Sequence, residues 1–163
     1  MASTFSFDIV SKFDRQELKN AVDQTRREID TRYDLKGTKT ELDLNDDDIA
    51  INTESEMSLT AIRDILESKL IRRDLSLKIL DYQNEETASG GRIRITIRLK
   101  EGIPDDVAKS LSKQIREQNR KVSPQIQGDT LRVQAKSKDD LQDVIQMLKG
   151  EDLPVALQFV NFR

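Results

Sequence analysis

Arginine recurs at positions 92, 94 and 98 of RIRITIRLK (92–100), and Thr96 and Lys100 complete the alternate positions. A guanidinium presents a planar fork of donors that matches a phosphate bidentately and also stacks on a base. A strand carrying such a row is a candidate anion-binding surface. The same row also fits the solvent side of an ordinary strand whose arginines pair with Glu41 and Asp43 across the sheet. A second basic group sits in TLRVQAK (130–136), where Arg132 and Lys136 share a face with Gln134, and SPQIQ (123–127) before it offers Gln125 and Gln127. Arg94-x-x-x-Arg98 and Arg116-x-x-x-Arg120 match an RxxxR spacing known from some cyclic-dinucleotide receptors, but no [DN]-x-S-x-x-G follows either.

Ser137 follows the second basic group and opens an apolar-periodic run, so strand, cations, serine and helix N-terminus succeed one another as they do in many phosphate sites. Asp139 and Asp140 stand in that same first turn and would repel a phosphate. Ser137 with Asp140 three residues on reads instead as a capping box. LNDDDIA (44–50) lacks the spacing of a calcium loop, since a frame from Asn45 puts Ile49 and Ala50 where an oxygen ligand and a glycine belong, and it reads as a hairpin turn. EGIPDDVAK (101–109) has a glycine before a helix but no Walker pattern.

Catalysis finds little to work with. The chain has no histidine, which removes the side chain most used for proton transfer near neutral pH, and no cysteine, which removes thiol nucleophiles and zinc-thiolate sites. No paired carboxylates, activated nucleophile or dinucleotide fingerprint appears, so no enzyme and no metal or resident cofactor is expected. The net charge of −3 gives no global field toward polyanions, so an anion site has to be a local patch. No apolar run approaches the ~18 residues of a membrane span. The N-terminal MASTFSFDIVSKFD lacks a basic region followed by an apolar one, so a soluble, cytoplasmic protein without membrane contact is expected.

The elements that would position these groups repeat. FSFDIV (5–10) alternates as a strand; Asp14 and Glu17 fit a helix start, with Phe13 and Leu18 as a hydrophobic staple. Leu18, Ala21, Val22, Thr25 and Ile29 then recur at helical spacing. TELDL and DIAINT form a hairpin, Leu59, Ile62, Leu66 and Leu70 mark a second helix, and LSLKIL (75–80) alternates again. NEETASGG (84–91) is the best linker candidate. Beyond it come RIRITIRLK, a helix after Pro104, a hairpin around Gly128-Asp129, a helix after Ser137 and a last strand in LQFVNF. Each half reads β-α-β-β-α-β, the order of a ferredoxin-like sandwich with helices on one face of an antiparallel sheet. The expected organisation is α+β, two tandem ferredoxin-like domains, residues 1–88 and 89–163. The open sheet faces are where RNA-recognition folds stack bases, but with no Trp, two Tyr and five Phe an aromatic platform is nearly absent.

SFDIVS (6–11), RYD (32–34), QIQGD (125–129) with LRV behind it, DDLQ (139–142) and LQFVNFR (157–163) together resemble the YajQ family over the whole chain. The resemblance implies a nucleotide-binding effector whose ligand is cyclic di-GMP or another nucleotide and whose partner is a transcription regulator, with RNA binding as an alternative function and a protein-interaction adaptor as a third. It also implies that the two repeats exchange first strands, so that FSFDIV pairs in the second sheet and RIRITIRLK in the first. For a guanine dinucleotide, Arg94, Arg98, Arg132 and Lys136 are the candidates for phosphates or stacking, Gln125, Gln127 and Asp8 for base edges, and Arg32, Lys138 and Arg163 complete the candidate set. Lys138 stands where the resemblance leads one to expect arginine; it keeps the charge and loses the fork.

Overall fold

The computed structural model describes residues 4–163. Strands β1 (Phe5–Val10), β2 (Glu41–Leu44), β3 (Asp48–Thr53), β4 (Leu80–Tyr82), β5 (Glu86–Thr87), β6 (Ile93–Leu99), β7 (Ser123–Gln127), β8 (Thr130–Ala135) and β9 (Gln158–Val160) alternate with helices α1 (Arg15–Thr31), α2 (Glu56–Arg72), α3 (Asp105–Gln118) and α4 (Lys138–Lys149). The fold is α+β with antiparallel sheets, as two ferredoxin-like domains require. One sheet runs β7-β8-β1-β9; the other runs β2-β3-β6-β4, with β5 also on β6.

The two central strands each pair with a strand that is distant in sequence. Phe7 of β1 lies opposite Val133 of β8, and Ile95 of β6 lies opposite Ile51 of β3. Strand β1 thus lies between β8 and β9, and β6 between β3 and β4. Contacts accordingly divide the chain into Phe13–Lys100 and Met1–Lys12 with Glu101–Arg163. The expected repeats, residues 1–88 and 89–163, are counted from their first strands, whereas these units are set by what each strand packs against.

In the Phe13–Lys100 unit, α1 starts where Asp14 accepts from the Gln16 and Glu17 amides. Leu18, Ala21, Val22, Thr25 and Ile29 are its buried stripe, as their spacing predicts. They pack with Leu59, Ile62, Leu66 and Leu70 of α2 on Ile49, Ile51, Ile95 and Ile97 of the sheet. Each such fully buried aliphatic side chain contributes ~1.5–3 kcal/mol. The start of α2 is a reciprocal capping box of Ser55 and Ser58, and Ser58 continues a chain of hydroxyls through Thr53, Thr40 and Thr38 at 2.9, 2.9 and 2.6 Å.

Two expectations change in this unit. LSLKIL does not begin as a strand: Ser76 accepts from the Lys78 amide and closes a short 3₁₀ turn over Leu77–Ile79, after which β4 starts at Leu80. NEETASGG is not a linker between domains. Glu86 and Thr87 pair with Arg94 and Ile93, and Gly90 and Gly91 take positive φ in the connection, so the segment is a hairpin inside one unit.

In the other unit, α3 and α4 lay Ala108, Leu111, Ile115, Leu141, Val144, Ile145 and Leu148 on Phe7, Ile9, Leu131 and Val133. Gly128 (φ 62) opens the two-residue β7–β8 turn. Ser137 occupies the N-cap of α4, but its hydroxyl caps no amide. The capping-box reading is corrected there: Asp140, its intended partner, accepts instead from Asn119 Nδ2 at 3.0 Å. Among the described residues no helix is long and apolar enough to cross a membrane, and no group of three or more carboxylates is placed to hold a metal.

Candidate nucleotide site on the four-stranded sheet

On β8, Leu131, Val133 and Ala135 face the core, which leaves Thr130, Arg132 and Gln134 on the opposite face. The register continues that face across the sheet: Gln125, Arg132 and Asp8 lie in one cross-strand row, and Ser123, Gln134 and Ser6 in the next. Arg132 Nε donates to Asp8 Oδ1 at 3.0 Å, and Asn161 Nδ2 donates to Asp8 Oδ2 at 2.8 Å. The side chains of Arg132 and Asp8 are only 27% and 12% exposed, so the pair is held in place.

Asn161 reaches Asp8 through a backbone irregularity. Asp8 is opposite Val160, while Ser6 exchanges both backbone hydrogen bonds with Arg163 at 2.9 and 3.1 Å. Two steps along β1 are matched by three along the terminal segment, which is a β-bulge. Asn161 absorbs it at φ 57, a conformation that asparagine tolerates better than most residues.

The Asp8 carboxyl is held below its ordinary value of 3.8, first by the hydrogen bond from Arg132; burial opposes this, and Asn161 and the charges of Arg132 and Arg163 add to the lowering. Asp8 in turn raises the Arg132 guanidinium. Asp8 is thus a fixed anion and a poor proton carrier, and Arg132 a fixed cation. Because the carboxylate takes Nε, both Nη groups of Arg132 remain for a third party; among the described residues neither meets an acceptor. A fork pre-oriented in this way suits a phosphate or the O6/N7 edge of guanine.

The other candidates of this unit lie around the row. Gln125 is exposed on the edge strand, and Gln127 sits at the hairpin end. Lys136, exposed, is six residues from Thr130 at the far end of β8, ~20 Å away at strand rise. Lys138 opens α4 with Nζ 5.1 Å from the Phe5 ring centroid. Lys138, Arg163, Phe5 and Phe162 share a pocket of about 290 Å³. Phe162 is stacked on Phe7 at 5.8 Å yet 59% exposed. Phe162 was not legible in the sequence: it stands three residues from Phe159, which alternation puts on the opposite face, yet both rings meet Phe7 across the bulge at Asn161.

Arg32, Arg94 and Arg98 belong to the Phe13–Lys100 unit, so they do not join this row within its own unit. Arg32 closes a bidentate fork on Asp34 at 3.0 and 2.8 Å. Arg94 lies 3.8 Å from Glu86, and Arg98 stands in register between Asp48 and Asp81. Arg92 is committed to Asn52 Oδ1 and the carbonyls of Thr38 and Lys39. The carboxylates beside the arginine row are thus Asp48, Asp81 and Glu86; Glu41 and Asp43 are one strand further out, because β3 runs between β2 and β6. That face is balanced in charge, whereas the face around Arg132 sets Arg132, Lys136 and Arg163 against Asp8.

The family described as "Nucleotide-binding protein YajQ-like" matches residues 5–163. Among curated proteins, the chain is 61% identical over its full 163 residues to the whole of a "Nucleotide-binding protein" from Synechococcus sp. (strain JA-3-3Ab). It is 57% identical, again over both whole chains, to one from Trichormus variabilis, and 58% identical to one from Thermosynechococcus vestitus.

Proposed function

The chain belongs to the YajQ-like nucleotide-binding family, and on that premise we propose that it is a non-catalytic cytoplasmic nucleotide receptor whose ligand lies on the open face of the β7-β8-β1-β9 sheet. The observation that carries this reading is Arg132, aimed by Asp8 through Nε alone so that its two Nη groups stay available. Cyclic di-GMP is the ligand this face suits. Arg132 takes a phosphate or a guanine O6/N7 edge, Arg163 and Lys136 add positive charge, and the Gln125 amide oxygen accepts from guanine N1–H or N2–H. Binding is passed to a transcription regulator, for which the ligand must favour one state of the receptor over another.

Isothermal titration with cyclic di-GMP at two salt concentrations tests this, with cyclic di-AMP, GTP and a short RNA as competitors. Arg132→Lys keeps the ion pair with Asp8 and loses the fork, and is expected to weaken binding about tenfold or more, the worth of a charged hydrogen bond. Arg98→Ala is expected to leave binding unchanged. Equal losses in the two variants overturn the placement on this sheet. Salt-steep binding of RNA with no heat from any dinucleotide overturns the receptor reading, because phosphate neutralisation then supplies the affinity.

A further inference from the structure

Strand β7 is the outer strand of its sheet, and its free edge adjoins a groove of about 590 Å³ against α3. From α3 the groove receives Lys109, Lys113 and Arg116, spaced one turn apart along one helical stripe; from the strand it receives Pro124, Gln125, Ile126 and Gln127. No carboxylate lines it among the described residues. Glu117 lies 4.0 Å from Lys113, with both side chains mostly exposed, and Asp105 stands one turn before Lys109 at the start of α3. In a chain of net charge −3 this is a local positive groove beside an uncapped strand.

The backbone of that edge is oriented to accept another strand. A two-residue hairpin makes Gln127 and Thr130 a hydrogen-bonded pair, so Gln125 and Ser123 also bond inward to β8. Pro124 and Ile126 then turn their backbone groups outward. Two facts agree with this phase: Pro124 has no N–H to give β8, and its carbonyl accepts from Arg116 Nη2 at 3.4 Å on the helix side. Ile126 therefore presents its N–H and C=O outward, and the residue is 42% exposed although β-branched and apolar. Natural edge strands are usually blunted by an inward charge, a bulge or a proline; among the described residues of β7, Pro124 is such a device and no residue is charged.

We propose that this edge is a docking site for an extended acidic segment of a partner protein, which adds as a strand alongside β7. The partner's backbone bonds to Ile126, its apolar side chains cover Ile126, and its carboxylates meet Lys109, Lys113 and Arg116. A second copy of this chain is a poor occupant, because β7-to-β7 pairing brings two sets of these cations together. A polynucleotide would use the cations but leave the strand edge and Ile126 idle. The site shares Gln125 with the nucleotide reading but does not depend on it: its anchors are Ile126 and the cations of α3.

The test uses the full chain and a fluorescein-labelled nonapeptide of alternating Glu and Val, with a Lys/Val nonapeptide and oligo-dT as comparisons. Anisotropy is expected to show binding of the Glu/Val peptide tighter than about 1 mM and reduced about tenfold or more in K113E/R116E, whose exposed positions leave the fold intact by circular dichroism. Hydrogen exchange is expected to show the Ile126 amide protected by the peptide, a readout that bare charge attraction does not move. Binding without protection of Ile126, tighter binding of oligo-dT than of the peptide, equal binding of the Lys/Val peptide, or no peptide binding at all overturns the proposal.

Discussion

Replacing Gly102 by alanine adds one methyl group where the fold has no room and the backbone has the wrong sign for it. Gly102 sits at φ 86, its N–H donates to the Ser11 carbonyl, and the next amide, of Ile103, donates to the Asp129 carbonyl at 2.9 Å. A Cβ built at this position would meet Asp129 Oδ2 at 2.7 Å and Asp129 Cβ at 3.0 Å. The left-handed backbone alone costs an L-residue ~1–2 kcal/mol. The overlap adds ~1–3 kcal/mol, because Asp129 belongs to the β7–β8 turn and cannot withdraw without moving the hairpin. The comparison is Gly128→Ala, also at positive φ (62) but with nothing within 4 Å, which is expected to cost only the backbone share. In an Asp129→Gly background the overlap partner is gone, and Gly102→Ala is expected to fall to the same ~1–2 kcal/mol. Both tyrosines, Tyr33 and Tyr82, lie in the Phe13–Lys100 unit and there is no tryptophan, so intrinsic fluorescence reports the wrong unit. Hydrogen exchange of peptides covering β1 and β8 reads the right one. Equal costs for Gly102→Ala and Gly128→Ala, or no relief from Asp129→Gly, would refute the steric account.

Thr53→Val keeps shape and removes the fully buried hydroxyl that joins Thr40 to Ser58; it is expected to destabilise the Phe13–Lys100 unit by ~1–3 kcal/mol in denaturant unfolding, and no change would show that the hydroxyl chain contributes nothing. Tyr82 is pushed up to about 12 by burial and by Glu67, so its phenol favours folding below pH 10, and that contribution is lost as pH rises through about 12; the decline should be shallower in Tyr82→Phe. The Asp8 carboxyl should titrate below 3.8 by carbon NMR and climb in Arg132→Met, where burial is opposed by weaker partners. Its contribution to stability is present above 3.8 and lost as pH falls through the lowered value, and an unmoved titration in Arg132→Met would contradict the pairing.

Long periodic elements were legible in the sequence because burial and period coincide there. The spacing of Leu18, Ala21, Val22, Thr25 and Ile29 could belong only to one face of a helix, and that face is the buried one. LSLKIL was not legible, because Leu75, Leu77 and Ile79 fit strand alternation by spacing, whereas a short 3₁₀ turn capped by Ser76 lets the adjacent Ile79 and Leu80 both be buried. The glycines of NEETASGG signal a reversal of the chain, but a hairpin and a linker make the same demand on φ. At the site, composition showed which residues could bind an anion and not which were already occupied. Arg92, Arg94, Arg98 and Arg132 are equivalent as letters; the register gives Arg92 a structural role, sets Arg94 and Arg98 among carboxylates, and aims Arg132 by way of a carboxylate 124 positions away. The Ser55–Ser58 box was missed because its third residue is a serine where an acid is the usual signal.

The pairing of β1 with β8 also sets a timetable for synthesis. The ribosome delivers residues in order, and Phe13–Lys100 is contiguous, so that unit has every strand it needs once Lys100 has emerged. Strand β1 is made before that unit and must wait: its neighbours, Thr130–Ala135 and Gln158–Val160, are made after it. At ~5–20 residues per second, the 63 residues from Glu101 to Arg163 take roughly 3–13 s, during which Phe7 and Ile9 have no core to enter. The nascent chain thus carries an unpaired, strongly apolar strand beside a finished domain, a natural client for whatever shields emerging chains.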